Sequence, residues 1–359
     1  MANWTESWIT ERLGLRFPII QAPMAGSSSN ELAVAVSRAG GMGSMGVALQ
    51  SAEATRADCE TVRAGTNGAY NVNFFVHKDA EIDASKGDAF RAQLAPYYEE
   101  LGLGEVPAAE VSSLPFNEDH LAVVLDQKPP VVSFHFGMPR DELFAAVKDA
   151  GIFTISSATN VREAQELERR GIDAIIAQGF EAGGHRGTFA EPYEDGWVGT
   201  MALVPQIVDA VSVPVIAAGG IADGRGIAAA FALGAAGAQI GTAYLFTPES
   251  LVSDLHRAAL VEARDDQTAL TNLFSGRPAR GLMNRLMREA GPMSDAAPAF
   301  PTAGGALAPI KAKAEAKGST DFTSLWSGQA AALGVETGAG DLTRRLAEDA
   351  LRRLASLAP

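Results

Sequence analysis

The sequence has little cysteine and little histidine. Its single cysteine, Cys59, excludes an intramolecular disulfide and a cysteine-based metal cluster. Cys59 lies in the helix-like segment TRADCETVRAG, where we interpret it as a half-buried helix residue and not as a nucleophile. The five histidines show no two-His-one-carboxylate spacing, so the sequence predicts no metal site.

The chain also lacks an excess of positive charge and long apolar runs. Its 29 lysines and arginines stand against 43 acidic residues, a formal net charge of −14, which disfavours nucleic acid and anionic membranes as partners. No apolar run reaches the ~18 residues of a membrane-spanning helix, and MANWTESWITERLG does not resemble a signal peptide. We therefore expect a cytoplasmic protein, a monomer or homodimer, with small-molecule partners.

Short apolar runs rich in β-formers alternate with runs of helical period along most of the chain. They predict eight strands, at residues 17–24, 43–48, 69–76, 131–137, 152–157, 174–179, 214–220 and 238–244. The most economical α/β fold for this pattern is a closed parallel (β/α)₈ TIM barrel; an open doubly wound sheet is the alternative. Asn30 and Asn160 are the predicted N-caps of two of the helices.

This pattern divides the chain into three predicted parts. Residues 1–265 are predicted to form the barrel, with a helical insertion near residues 79–128, where the alternation breaks. Residues 266–330 lack the βα alternation and are rich in Gly, Ala, Ser and Met, which predicts a C-terminal cap subdomain beside the barrel mouth. Residues 331–359 are predicted to pack on the barrel as a C-terminal helix.

A glycine pattern early in the chain matches a dinucleotide-binding motif only superficially. Residues 41–46, GMGSMG, have the G-x-G-x-x-G spacing. That motif requires a strand before the glycines and a helix after them. Here the glycines follow a predicted helix and lead into a strand, so we interpret them as a helix C-cap and a turn.

The seventh and eighth predicted strands end in glycines. AAGGIA contains Gly219 and Gly220, and QIGT contains Gly241 and Thr242. Barrels often bind phosphate with the loops after these two strands, because glycines let backbone N–H groups approach the anion. The sequence therefore favours a phosphate site here over simple βα turns.

The loop EAGGHRG, after the sixth strand, carries the best catalytic candidate. Small residues surround His185, which we expect to act as a general base. Arg186 beside it is expected to attract an anion. His135, within the fourth strand, fits equally well a substrate contact or a buried structural histidine. Asn73 and Gln178 are suited to recognise a flat heterocycle.

The segments PIIQAPMAG, YNVNFF, AQGFEAGGHRG, PVIAAGGIADG and AQIGTAYLFTPE, in this order, resemble the nitronate monooxygenase family, formerly called 2-nitropropane dioxygenases. The resemblance implies non-covalent FMN with its phosphate at the last two strands, and no metal. It implies His185 as the catalytic histidine. The implied substrate contacts are His135, Arg186, Lys311 and Ser327. The implied cofactor contacts are Ala22, Pro23, Met24, Asn73, Gln178, Gly183, Gly184, Gly219, Gly220, Gln239, Ile240, Gly241 and Thr242.

The implied reaction is the oxidation of an alkyl nitronate by dioxygen to a carbonyl compound and nitrite, with propionate 3-nitronate as the suggested substrate and detoxification as the role. In the proposed mechanism, Arg186 or Lys311 lends positive charge to the nitronate anion, and His185 stabilises it or deprotonates a neutral nitroalkane. Two other enzyme classes remain open. One is an FMN-dependent NAD(P)H oxidoreductase acting on quinones or enoyl thioesters, and the other is a flavin-free sugar-phosphate lyase or isomerase.

Overall fold

The computed structural model describes residues 7–79, 82–190 and 192–356; the ends of the predicted N-terminal and C-terminal segments lie outside these ranges. Eight strands build the main sheet: β1 (Ile19–Gln21), β2 (Gly43–Gly46), β3 (Tyr70–Phe75), β4 (Val131–His135), β5 (Phe153–Ala158), β6 (Ala174–Gln178), β8 (Val215–Ala218) and β9 (Gly237–Ile240). All neighbouring pairs are parallel, in the order β1-β9-β8-β6-β5-β4-β3-β2. A parallel bridge between Ile20 and Met42 joins the first and last strands. The predicted (β/α)₈ TIM barrel is therefore confirmed, and the open-sheet alternative is wrong.

The strands are buried on both faces, which explains their continuous apolar runs. Ile175 packs outward, in the core shared with the helices, whereas Ile176 packs inward, with Ile155 and Ile216. Helix α1 adds Ile9 to the inward cluster. The predicted strand ranges mostly extended past the observed ends, because small apolar residues continue into the βα loops.

Fourteen helices accompany the strands in the described residues: α1 (Trp8–Leu13), α2 (Asn30–Ala39), α3 (Ala52–Gly65), α4 (Ala84–Leu101), α5 (Glu118–Gln127), α6 (Asp141–Asp149), α7 (Val161–Arg169), α8 (Thr200–Ala210), α9 (Gly224–Ala232), α10 (Thr242–Leu245), α11 (Asp254–Val261), α12 (Arg285–Ala290), α13 (Gly304–Glu315) and α14 (Ala339–Ser356). Short 3₁₀ turns lie at Tyr193–Gly196 and Ala331–Leu333. None of the helices in the described ranges is both long and apolar enough to cross a membrane.

The N-cap prediction was right for one helix and wrong for another. Asn160 caps α7, because its side chain accepts a hydrogen bond from the Glu163 backbone N–H. The cap of α2 is Ser29, whose hydroxyl accepts from the Leu32 N–H at 2.9 Å. Asn30 instead donates its amide to Asp58 at 2.7 Å. Serine and asparagine are comparable N-cap residues, so adjacent candidates are hard to separate from sequence.

Residues of the insertion and of the C-terminal region share one hydrophobic cluster. Phe90, Leu94 and Tyr98 of α4 pack with Ile310 of α13 and with Phe322. The Tyr98 hydroxyl also donates to the Ala306 carbonyl at 2.7 Å. The two segments that interrupt the βα pattern therefore fold against each other.

A small antiparallel sheet lies in the same region. β7 (Gly184–His185) pairs with β11 (Ala279–Leu282), which pairs with β10 (Thr268–Thr271). The Ala279–His185 pair ties the loop after β6 to the C-terminal region. α14 packs against α2 and α9 on the outside of the barrel.

Candidate active site

A cavity of about 350 Å³ lies at the carboxyl ends of the barrel strands, where barrel active sites occur. Its wall includes twelve of the thirteen predicted cofactor contacts, every one except Ile240. The Ile240 side chain is buried in the core between strands and helices, because it follows Gln239 on the opposite face of β9. The predicted residues thus meet in one place, and Ile240 is the exception.

One end of the cavity, here the glycine end, is formed by the residues that follow β8 and β9. Gly219 and Gly220 have φ angles of +110° and +69°, a left-handed backbone that favours glycine. A Cβ atom at Gly241 would lie 3.5 Å from the Ala22 Cβ and 3.8 Å from the Met24 Sδ, so no protein atom crowds that position. The Thr242 hydroxyl accepts from the Gly328 N–H at 2.9 Å and donates to no residue that the structure describes.

Glu181 also lines the glycine end, but its charge is held away from the space there. Its carboxylate accepts from the Thr200 N–H at 2.9 Å and from the Thr200 hydroxyl at 2.8 Å. These contacts place the carboxylate at the N-terminus of α8, which favours negative charge. The Glu181 carboxylate therefore stabilises the N-terminus of α8.

Two amide side chains in the cavity wall retain unused hydrogen-bonding groups. Asn73 donates to the Ser133 hydroxyl at 2.8 Å, and its side-chain oxygen has no hydrogen-bond partner among the described residues. The Gln239 amide makes no hydrogen bond with them and is not buried. Asn71, by contrast, lies deeper and bonds Ser44 and Ser133. Asn73 and Gln239 can thus offer donors and acceptors to a planar ligand.

The Gln178 side chain makes three hydrogen bonds within the protein. Its amide nitrogen donates to the His185 carbonyl at 3.0 Å, and its oxygen accepts from the Arg186 guanidinium at 3.0 Å and from the Gly187 N–H at 2.8 Å. The amide is therefore committed to holding the loop after β6. Gln178 still lines the cavity, so a cofactor contact through its side chain carbons stays a prediction.

His185 marks the other end of the cavity, here the histidine end. Its Nε2 lies 2.9 Å from the Ser275 hydroxyl, which also donates to the Arg277 carbonyl at 3.2 Å. Its Nδ1 has no hydrogen-bond partner among the described residues, and the imidazole lines the cavity. The imidazole is thus fixed at one nitrogen and free at the other.

Aromatic rings surround this imidazole. The centroids of Phe300 and Trp326 each lie 5.5 Å from the His185 centroid, and those of Phe136 and Phe75 lie at 5.8 and 6.0 Å. Burial, followed by the charges of His135 and Arg277, lowers the pKa of His185 to about 3. His185 is therefore neutral around pH 7, the form in which it can accept a proton.

His135 lines the cavity but has both ring nitrogens engaged. Nε2 donates to the His185 carbonyl at 3.2 Å, because a carbonyl only accepts, and Nδ1 then accepts from the Ser157 hydroxyl at 2.7 Å. Burial, the main cause, lowers its pKa to about 3. His135 therefore supports the loop after β6, and its predicted contact with substrate stays a prediction.

The other three predicted substrate contacts do not reach the cavity. Arg186 is only 1% exposed and points away from it, donating to the backbone carbonyls of Gln178, Gly179 and Gly196. Lys311 lies on α13 near Glu315, at 4.0 Å, and does not line the cavity. Ser327 is fully buried and donates to the Gly328 carbonyl. Neither Arg186 nor Lys311 lines the cavity, and the prediction that one of them supplies charge to a bound anion stays a prediction.

Sequence reasoning missed Ser275, Phe300 and Trp326, which complete the histidine end. They lie in the region without βα alternation, and β10 and β11 are too short, at four residues each, for a periodic signal. Cys59 is a helix residue, as interpreted, but it is fully buried in α3 and not half-buried, and burial raises the pKa of its thiol to about 12. No cluster of metal-ligating side chains occurs in the described part of the chain.

Comparisons with known proteins agree with this geometry. The nitronate monooxygenase family profile matches residues 6–349. A nitronate monooxygenase of Paraburkholderia phytofirmans is 43% identical over 93% of this chain and 92% of its own length, and one of Pseudomonas aeruginosa is 43% identical over 95% and 98%. Among solved structures, nitroalkane oxidase from Streptomyces ansochromogenes superposes with a TM-score of 0.88 at 37% identity, covering 98% of this chain and 99% of that one. FabK from Thermotoga maritima matches less well, with a TM-score of 0.72 at 26% identity over 98% of both chains. The chain belongs to the nitronate monooxygenase family, flavin-dependent oxidoreductases that oxidise nitronates.

Proposed function

We propose that the protein binds FMN non-covalently and oxidises alkyl nitronates with dioxygen, giving a carbonyl compound and nitrite. The observation that carries the proposal is the pairing, within one cavity, of a glycine-lined end and a histidine with a free ring nitrogen. The glycine end suits a phosphate, and the histidine end suits an acidic carbon compound. Neither end alone distinguishes this enzyme from other barrel enzymes.

The residues at the glycine end fit an FMN phosphate. Glycines at positions 219, 220 and 241 leave room for close backbone approach, and the Thr242 hydroxyl has a proton to donate. Asn73 and Gln239 have the unused groups that a flavin ring would engage. Bound there, FMN would supply the redox chemistry between the nitronate and dioxygen.

His185 acts on the organic substrate in two ways. Toward a neutral nitroalkane, Nδ1 removes the proton from the carbon that bears the nitro group, with Nε2–H donating to Ser275. Toward a nitronate, which has already lost that proton, an Nδ1–H donates to a nitro oxygen, with the Ser275 hydroxyl turned from the Arg277 carbonyl to donate to Nε2. A hydroxyl can do either, so one serine supports both tautomers.

The first test is the absorbance spectrum of the purified protein, followed by oxygen uptake on adding an alkyl nitronate without NADH. A flavin spectrum with rapid uptake is expected. A flavin spectrum that is bleached by NAD(P)H, with no uptake from nitronates, would replace the proposal by a quinone or enoyl reductase. A protein that stays colourless after incubation with FMN would contradict the flavin site.

A further inference from the structure

The Ser275 hydroxyl, which holds His185, is itself oriented by the backbone of Arg277. Its proton points to the Arg277 carbonyl, 3.2 Å away, and its oxygen accepts from the Arg277 N–H at 3.4 Å. With its proton used in this way, the hydroxyl can only accept from Nε2 of His185, 2.9 Å away. The proton of the neutral imidazole therefore lies on Nε2, and Nδ1 carries the lone pair.

The side chain of Arg277 anchors this turn. Its guanidinium lies over the rings of Phe136 and Tyr193, at 4.0 and 4.9 Å from their centroids, and donates to the Thr188 carbonyl. Gly276, inside the turn, has a φ of +89° and leaves no room for a Cβ atom. Arg277 is only 8% exposed, and cation–π contacts are strongest where water is excluded. The turn is therefore fixed from both sides.

Phe136 connects this anchor to the base. It belongs to the aromatic wall around His185, whose other members are Phe75, Phe300 and Trp326. Its φ of +76° is uncommon for a bulky residue, so the surrounding contacts must hold it. Its ring stands perpendicular to the imidazole, with centroids 5.8 Å apart, and also carries the guanidinium. Arg277 thus reaches His185 through the Ser275 hydroxyl and through the Phe136 ring.

We propose that Arg277 is a positioning residue that holds His185 in the tautomer with the proton on Nε2, so that Nδ1 can remove a proton from a neutral nitroalkane. The inference rests on the proposed function, which supplies the substrate. Burial, followed by the neighbouring His135 and Arg277, also keeps the pKa of His185 low, so the imidazole has a single proton to place.

The ¹⁵N resonances of the histidine rings in the FMN-bound wild type test the tautomer without any turnover. An unprotonated ring nitrogen resonates far downfield of a protonated one, and His185→Asn identifies the resonances of His185. At neutral pH the proton is expected on Nε2. A proton on Nδ1 would overturn the inference and leave the proposed function intact. No oxygen uptake with any nitronate would overturn the proposed function and leave the tautomer assignment standing.

A variant should then shift the tautomer. Arg277→Met is expected to mix the two forms, moving the two His185 resonances toward each other, and to lower kcat for a neutral nitroalkane about 2- to 10-fold, the effect typical of one hydrogen bond. Arg277→Lys keeps a cation and a donor, and should restore most of both. The control Arg264→Met, at an exposed pair with Asp266, should change neither.

A double variant separates positioning from a general effect on folding. If Arg277 acts through Ser275, then Ser275→Ala combined with Arg277→Met should match Ser275→Ala alone in kcat for the nitroalkane, because the hydroxyl that Arg277 orients is already absent. Two losses that multiply would overturn the inference, since Arg277 would then act independently of Ser275. If Arg277→Met does not fold, the wild-type spectrum still decides.

Discussion

The two ends of the cavity are built in different ways. The glycine end uses backbone from two chain segments, at Gly219–Gly220 and Gly241–Thr242, each directly after a barrel strand. The histidine end uses side chains from separate regions, with His185 held by Ser275 and enclosed by Phe75, Phe300 and Trp326. The comparison suggests that cofactor binding is a property of the barrel, whereas the choice of substrate depends on segments added to it.

The substitution His185→Asn is expected to have the largest effect, and this effect should be confined to the histidine end. Asparagine cannot act as a base at neutral pH, so turnover of a neutral nitroalkane should fall by about 10²–10⁴-fold. Turnover of the corresponding nitronate should fall less, because its proton is already absent. FMN content, measured from absorbance after gel filtration, should equal that of the wild type. Equal loss of FMN and activity would mean that the two ends are not independent.

A substitution at the glycine end should instead lower the FMN content of the purified protein. Gly241 has a φ of −107°, which any residue adopts, and a Cβ there meets only ordinary contacts. Gly241→Val should therefore fold, but its methyl groups would fill the space that we assign to FMN, so the purified protein should lose most of its flavin. Gly104→Val is the matched control, since Gly104 is exposed with open space around it. Full flavin occupancy in Gly241→Val would contradict the assigned site.

The difference between the ends also explains what the sequence could predict. Glycines after barrel strands, and His185 among small residues, are local patterns, and both were found. The direction of the Arg186 side chain could not be predicted, because Arg186 directly follows the two-residue strand β7 and only the β7–β11 pairing decides which side of this segment faces the cavity. Ser275 and Phe300 reach His185 by tertiary packing of segments with no periodic signal, so no sequence pattern marked them.

Arg186 provides the next test, because it joins the two ends without lining either. Its guanidinium satisfies the carbonyls of Gly179 and Gly196, and the Gln178 amide, in the buried loop after β6. Arg186→Met should lower the free energy of unfolding by about 2 kcal/mol or more, since it leaves buried acceptors unpaired. Lys311→Ala, at a half-exposed surface pair, should change it by less than about 0.5 kcal/mol. Denaturant unfolding measures both. If the Arg186→Met enzyme is stable but has a raised KM for nitronates, the result would support the prediction that Arg186 contacts the substrate.

Lowering the pH should destabilise the histidine end before the glycine end. Burial lowers the pKa of His135 and His185 to about 3, below the ordinary 6.5, so both must stay neutral in the folded protein. The unfolded chain takes up these protons near pH 6.5, so the stability they contribute is present above that pH and is lost as pH falls toward 3. The melting temperature is therefore expected to drop below pH 6.5, and His135→Asn should reduce that dependence. An unchanged slope would mean that His135 is not the group responsible.

The smallest effect should come from Ser275, which touches the base and not the flavin site. Ser275→Ala removes one hydrogen bond from Nε2, typically worth about a 2- to 10-fold change, and frees the imidazole to rotate. Because a nitroalkane needs Nδ1 as a base and a nitronate needs it only as a donor, kcat for the nitroalkane should fall more. Ser275→Thr keeps the hydroxyl and should restore the ratio of the two kcat values, with FMN content unchanged throughout. If the alanine and threonine variants lower kcat equally for both substrates, Ser275 only packs against His185. The aromatic wall alone would then position the base at the histidine end.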